Sequence, residues 1–129
     1  MTHPDVSYPR GAGTPVSPLP FSPCVAYGDL IFVSGQASVD ASGQIVSDTF
    51  EGEFRRSVEN LRKVLEAAGS DLAHVVQVRS YVREDEDVPL YNRLYREYFT
   101  EPFPARTTIT RCLPKTLRFE IEAVAVRRC

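Results

Sequence analysis

The stretch LRFEIEAVAV, residues 117–126, decides the fold. Taken alternately, Leu117, Phe119, Ile121, Ala123 and Ala125 fall on one face of a strand. Arg118, Glu120, Glu122, Val124 and Val126 fall on the other. The first face is apolar and needs a cover of helices. The second mixes two valines with two glutamates, so it suits neither solvent nor an apolar core. A face of that kind implies burial against another copy of the chain, with a polar cavity at the seam. Just upstream, EPFPARTTITRCLPK (101–115) sets Arg106 between a proline turn and a run of threonines. RTTITRCL reads as a second strand, turning at Pro114-Lys115 into the last one. A fixed positive charge and then an acidic pair therefore sit on the most strand-like part of the chain.

Working outward, VVQVRSYVR from Val75 alternates Val76, Val78, Ser80 and Val82 against Gln77, Arg79 and Tyr81, a strand with one buried face. Between it and Arg106 lies a helix with Asp87 as cap and Pro89 in the first turn; Tyr91, Leu94, Tyr95, Tyr98 and Phe99 share one side. Those tyrosines read as core and interface. Further upstream, Phe50, Phe54, Val58, Leu61, Val64, Leu65 and Ala68 recur at helical spacing. Asp48 with Glu51 resembles a capping box, and Gly69 is the C-terminal stop. CVAYGDLIFVSG (24–35) reads as two strands joined at Tyr27-Gly28-Asp29, and ASGQI adds a turn at Ser42-Gly43. The result is an α+β layer: a single domain with about six strands in a mixed sheet and two helices packed on one face.

Six of the ten prolines fall within the first 23 residues. Residues 1–19 are thus a Pro/Gly/Ser-rich arm, extended or mobile, either free or laid along a neighbouring subunit, and residues 20–129 form the domain.

The totals exclude several functions. The chain has 129 residues, net charge −2 and a pI of about 5.7, with its 15 basic residues interleaved among 17 acidic ones. A nucleic-acid surface needs clustered Lys and Arg, so no nucleic-acid partner is expected. Two histidines and three cysteines without a CxxC pair assemble no metal site. Cys24 and Cys112 read as semi-buried thiols and Cys129 as a terminal one, all reduced. MTHPDVSYPR lacks the apolar stretch of a signal peptide, and no run approaches the ~20 apolar residues of a membrane span. A cytoplasmic protein without membrane contact is expected. No Gly-rich phosphate loop occurs.

FVSGQ (32–36), ENLRKVLEAAGS (59–70), YNRLYREYF (91–99), PAR (104–106) and LPK with EIEAVAV (113–126), in that order, resemble the RidA (YjgF-like) imine deaminases from about Pro20 to Arg127. The resemblance implies a YjgF, chorismate-mutase-like fold and a homotrimer with a cofactor-free site at each interface. It implies hydrolysis of 2-aminoacrylate-type enamines and imines to 2-oxo acids and ammonia. Arg106 matches the family's carboxylate-gripping arginine, a role that suits a planar guanidinium that never deprotonates. Glu120 matches the acid that orients or activates water, and Glu122 falls to an interface or network role. Ser34, Gly35, Asn92 and Thr108 match positions that line the pocket. Phe21, in PFSPCV (20–25), stands where relatives carry tyrosine, and Pro23 where they carry glutamine. The run from Arg106 to Leu-Pro-Lys is one residue shorter than usual, so a bulge or turn must absorb the change of facing. Without the resemblance, Arg106 and Glu120 would read as surface charges. Two other readings stay open: a pathway-specialised relative acting on a different imine by cyclisation, tautomerisation or deamination, and a non-catalytic carboxylate-binding or chaperone-like trimer. An endoribonuclease is disfavoured by the acidic pI and by the absence of a histidine pair.

Overall fold

The computed structural model describes residues 3–11 and 13–129; Met1, Thr2 and Ala12, which belong to the arm, lie outside them. The elements in chain order are β1 (Val6–Ser7), β2 (Cys24–Tyr27), β3 (Leu30–Ala37), α1 (Phe50–Ala67), β4 (Val75–Val82), α2 (Val88–Tyr98), β5 (Ala105–Thr110) and β6 (Phe119–Val126). They build one six-stranded sheet in the order β1-β2-β3-β6-β4-β5. All neighbours are antiparallel except β4 and β5, which α2 joins as a parallel pair. The arm is not wholly without structure. Val6 and Ser7 pair with Tyr27 and Ala26, at a proline-free point where backbone donors remain for a ladder.

The hairpin between β2 and β3 turns at the expected place, with Gly28 at φ 59°, a left-handed value that glycine adopts without steric cost. Helix α1 starts one residue later than its sequence suggests. Thr49, not Asp48, is the cap: its hydroxyl accepts the Gly52 N–H at 3.1 Å. The Asp48 carboxylate instead accepts the Thr49 N–H at 2.7 Å, and Glu51 pairs with Arg55 at 3.1 Å. The far end closes as expected. Gly69 has φ 86°, Gly69 N–H reaches the Glu66 carbonyl at 3.1 Å and Ser70 N–H the Leu65 carbonyl at 2.8 Å. These are the two bonds of a Schellman stop.

Both helices lie on the apolar sheet face. Phe54, Val58, Leu61 and Leu65 of α1, Tyr91 and Leu94 of α2, and Ile31, Val78, Phe119 and Ile121 of the sheet are fully buried together. Each such side chain contributes about 1.5–3 kcal/mol by leaving water. Strand β6 has the expected alternation, with Phe119, Ile121, Ala123 and Ala125 inward. In β4 the expectation fails at one end. Val75 is buried and Val76 is 45% exposed, because the register with β6 shifts between Val75 and Gln77. Cys112, expected to be semi-buried, is exposed because β5 has already ended at Thr110. Arg111 there takes φ 63°, a left-handed value, just beyond the end of β5.

The other sheet face is open in the single chain. Val25, Leu30, Phe32, Val124 and Val126 form its apolar half, with Phe32 still 45% exposed. Gln77, Arg79, Tyr81, Glu120 and Glu122 form the polar half. Glu53, buried beneath the helices, ties the layers together: its carboxylate accepts the Arg118 N–H at 2.9 Å and the Asp48 N–H at 3.2 Å. The start of β6 is thereby fixed to the start of α1, which places the strand that carries Glu120.

Candidate functional site

Strand β3 carries one extra residue opposite β6. Val33 pairs with Ala123 and Gln36 with Ile121, so Ser34 and Gly35 bulge between them. A bulge of this kind reverses the facing of the residues beyond it. Ile31 and Val33 point inward before it, and Gln36 points inward after it. Both bulge residues are therefore presented on the side of Glu120. Ser34 is held there by its N–H on the Pro23 carbonyl at 2.9 Å and its hydroxyl on the Ser22 carbonyl at 2.6 Å. The Glu120 carboxyl lies directly against Gly35, where an added Cβ would sit 2.5 Å from Oε1. A cavity of about 550 Å³ opens over this group, and Arg10, Val16, Leu19, Phe21 and Leu117 complete its walls. Burial, and secondly the charge of Glu122, push the Glu120 carboxyl above the ordinary glutamate range. Glu122 itself sits in a network: it accepts from the Tyr81 hydroxyl at 2.5 Å and from Arg79 at 3.2 Å.

Arg106 lies elsewhere. It stands on the edge strand β5 in register with inward-facing Val78, so its side chain runs along α2. Its Nη2 donates to Asn92 Oδ1 at 2.9 Å. Its guanidinium rests 4.9 Å from the Tyr91 ring centre and 4.8 Å from that of Tyr95. Thr108, two residues on and facing the same way, donates its hydroxyl to the Tyr91 hydroxyl at 3.2 Å. Arg106, Asn92 and Tyr95 line a second cavity of about 470 Å³ with Arg96, Phe103 and Pro104.

The residues singled out in the sequence thus fall into two groups. Phe21, Ser34, Gly35 and Glu120 share one cavity; Arg106 and Asn92 share another, with Thr108 joined through Tyr91. Within one chain the groups do not meet. β4 separates their strands and their register points are three residues apart, which puts the two backbones on the order of 14 Å apart. They also face opposite sides of the sheet. Sequence reasoning passes over Tyr91 and Tyr95 as core and Leu19 as part of the arm. It sets Leu117 on the inward face of the last strand, whereas β6 begins at Phe119 and Leu117 lines the Glu120 cavity. The four-residue spacing of the tyrosines around Asn92 is the available signal for that pair.

The contact between Gly35 and Glu120 yields a prediction. In Gly35→Ala the new methyl meets the end of a flexible side chain, so the fold is expected to survive with a stability change below about 1 kcal/mol. The Glu120 carboxyl must swing away from its half-buried seat, and its pKa should fall back toward the ordinary range. A carbon-13 NMR titration of that carboxyl, beside a thermal melt, checks both parts; an unchanged pKa would contradict the packing described.

Fold and geometry together define a class of protein: a two-helix α+β domain that carries two separate polar groups, one around Arg106 and one around Glu120, on opposite faces of its sheet. The chain belongs to the RidA/YjgF family, since the model of that family, described as Endoribonuclease L-PSP, matches residues 13–127. A RutC family protein of Pyrococcus horikoshii is 34% identical over 125 residues, covering 95% of this chain and 98% of its own. The human 2-iminobutanoate/2-iminopropanoate deaminase is 37% identical over 110 residues, 84% of this chain and 80% of that one. Among solved structures, E. coli TdcF with bound serine matches at a TM-score of 0.83 and 28% identity, over 95% of this chain and 99% of that one.

Proposed function

We propose that the protein is a cytoplasmic imine deaminase that hydrolyses 2-aminoacrylate-type enamines and imines to 2-oxo acids and ammonia, in sites completed between subunits of a homotrimer. The observation that carries this reading is the division of the site. Among the described residues, one chain holds a cation without an acidic partner on one sheet face and a carboxyl with a raised pKa on the other. A heterologous interface, which closes into a ring, sets one face of a subunit against a different face of the next. The open face, with Leu30 and Phe32 still exposed, supplies the apolar surface that such a contact would bury. Relatives named as 2-iminobutanoate/2-iminopropanoate deaminases, and a relative with bound serine, an amino acid with its own carboxylate, support the chemistry.

In this reading Arg106 pairs with the substrate carboxylate, and Asn92 keeps the guanidinium turned toward it. Glu120 of the neighbouring subunit takes a proton from water as the oxygen attacks the imine carbon. That proton passes to nitrogen to give the neutral carbinolamine. The carboxylate then takes the hydroxyl proton of the adduct and delivers it to nitrogen, so the C–N bond breaks as the C=O bond forms. Ammonia leaves a 2-oxo acid, with the carboxylate regenerated. An enamine first takes a proton on its β-carbon to become the imine. An imine carbon is already electrophilic, so this addition requires no cofactor. Ser34 and Gly35 form the floor of the pocket, Phe21 an apolar wall without a hydroxyl, and Thr108 supports the arginine side.

Mixed oligomers test the reading. Arg106→Ala and Glu120→Gln subunits, each inactive alone, are unfolded together and refolded at equal ratio. About one quarter of wild-type activity should return, because one in four random interfaces joins an intact Arg106 to an intact Glu120. A mixture as inactive as its parents would place both groups in one subunit's site and defeat the proposal.

A further inference from the structure

The contacts of Arg106 set it apart from the carboxylate-paired arginines of this surface, and only in part from Arg96, which lies over the single ring of Phe103. Arg55, Arg62, Arg79 and Arg111 each pair with a carboxylate. Arg106 has no such partner among the described residues. It lies against two aromatic rings from adjacent turns of α2 and bonds one amide oxygen. Those rings cannot turn away. Tyr91 is fully buried and Tyr95 is 4% exposed. The Tyr95 ring also stacks on Phe99 at 4.5 Å.

The Tyr95 hydroxyl makes the point sharper. It is buried without a hydrogen-bond partner among the described residues, and a buried hydroxyl left unpaired is unfavourable. Burial also raises its pKa, so it is neither an anion nor a proton source for Arg106 near neutral pH. The part of Tyr95 that meets the guanidinium is therefore the face of its ring. Such a face attracts a cation through its quadrupole, more strongly where water is excluded.

We propose that Tyr91 and Tyr95 are positioning residues that hold Arg106 ready for the substrate carboxylate, which deepens the function proposed above and rests on it. The two rings fix the plane of the guanidinium, and Asn92 fixes its rotation by taking Nη2. Nε and Nη1 are left without a protein acceptor among the described residues. With the second N–H of Nη2, one of these nitrogens forms the two-donor edge that a carboxylate meets. An arginine free to move would lose its conformational freedom on each binding event; this one has already lost it. Because a carboxylate is present in both substrate and transition state, the effect falls on substrate affinity more than on turnover.

The test changes the electronics of the ring and keeps its shape. Position 95 is made Tyr95→Phe, and that phenylalanine is then replaced by its mono-, di- and trifluorinated analogues. All retain the volume of the ring, so all are expected to fold, as a thermal melt will record. Imine is generated in the assay by a threonine dehydratase, and KM and kcat are measured separately. Tyr95→Phe should match wild type in KM and melt at or above it, since only an unpaired hydroxyl is lost. KM should then climb with each fluorine to about tenfold, with kcat within about twofold. A KM that stays flat across the series overturns the positioning role. The deaminase reading is controlled apart from it by Arg106→Ala in the same assay: if that variant turns over like wild type, it is the reading of Arg106 itself that falls.

Discussion

Replacing Arg106 by alanine is expected to lower kcat/KM on 2-iminobutanoate by about 100- to 1,000-fold while leaving the melting temperature near that of wild type. Removing one member of a desolvated, hydrogen-bonded charge pair costs about 2–5 kcal/mol. In the proposed function the pair is between guanidinium and substrate, so the loss is expected in catalysis. Folding should hardly register the change, because Arg106 pairs with no carboxylate among the described residues and lies on the edge strand. Arg106→Lys should retain part of the activity. It restores the charge but offers a point donor where a planar fork stood. The measurement is dehydratase-coupled release of 2-oxobutanoate with semicarbazide competing for the imine. Activity of the alanine variant within about threefold of wild type would mean that the carboxylate is gripped elsewhere.

Glu120→Gln carries the second large effect, and its signature is a divergence between activity and stability. If Glu120 is the proton acceptor of the proposed function, kcat should fall by about 100- to 10,000-fold. The carboxyl in wild type has a pKa raised above its ordinary 4.5 by burial and by Glu122. Its ionised form is needed to take a proton, so kcat/KM should fall on the acid side through a limb lying above pH 4.5. Stability runs the other way. A folded-state pKa above the unfolded one means that the folded chain holds the proton more tightly. The associated stability is complete below about 4.5 and is lost as pH rises through the raised value. Glutamine never ionises and escapes that loss. The variant should therefore melt above wild type at pH 8 and lose the advantage below pH 4.5. A variant less stable than wild type at both pH values would show that Glu120 does not bear the burial described.

How far the molecule is legible in its sequence depends on the segment. β6 alternates without a break, and its inward and outward positions follow its sequence from Phe119 to Val126. The Gly28 turn and the Gly69 stop are readable because each requires a left-handed residue that glycine supplies. Val76 is easily misplaced because the register shift beside it leaves no mark in a run of consecutive valines. Asp48 and Thr49 are both good cap residues; Glu51, three residues on, points to Asp48, but geometry, through the Gly52 N–H, chooses Thr49. The division of the site is least legible. ARTTIT has no apolar alternation, so nothing in it says that Arg106 faces the helices. The strand order, which sets β4 between Arg106 and Glu120, is a property of the whole sheet.

The bulge at Ser34-Gly35 gives β3 two phases. Leu30 to Val33 keep one alternation, Gln36 and Ala37 the opposite one, and the two residues between belong to neither. Residues that belong to neither phase can change without moving a core side chain to the wrong face. The extra residue lets the strand keep its pairing with β6 on both sides of the gap and still turn two consecutive residues toward the face of Glu120, which unbroken alternation forbids, while the same helices stay packed on the same sheet.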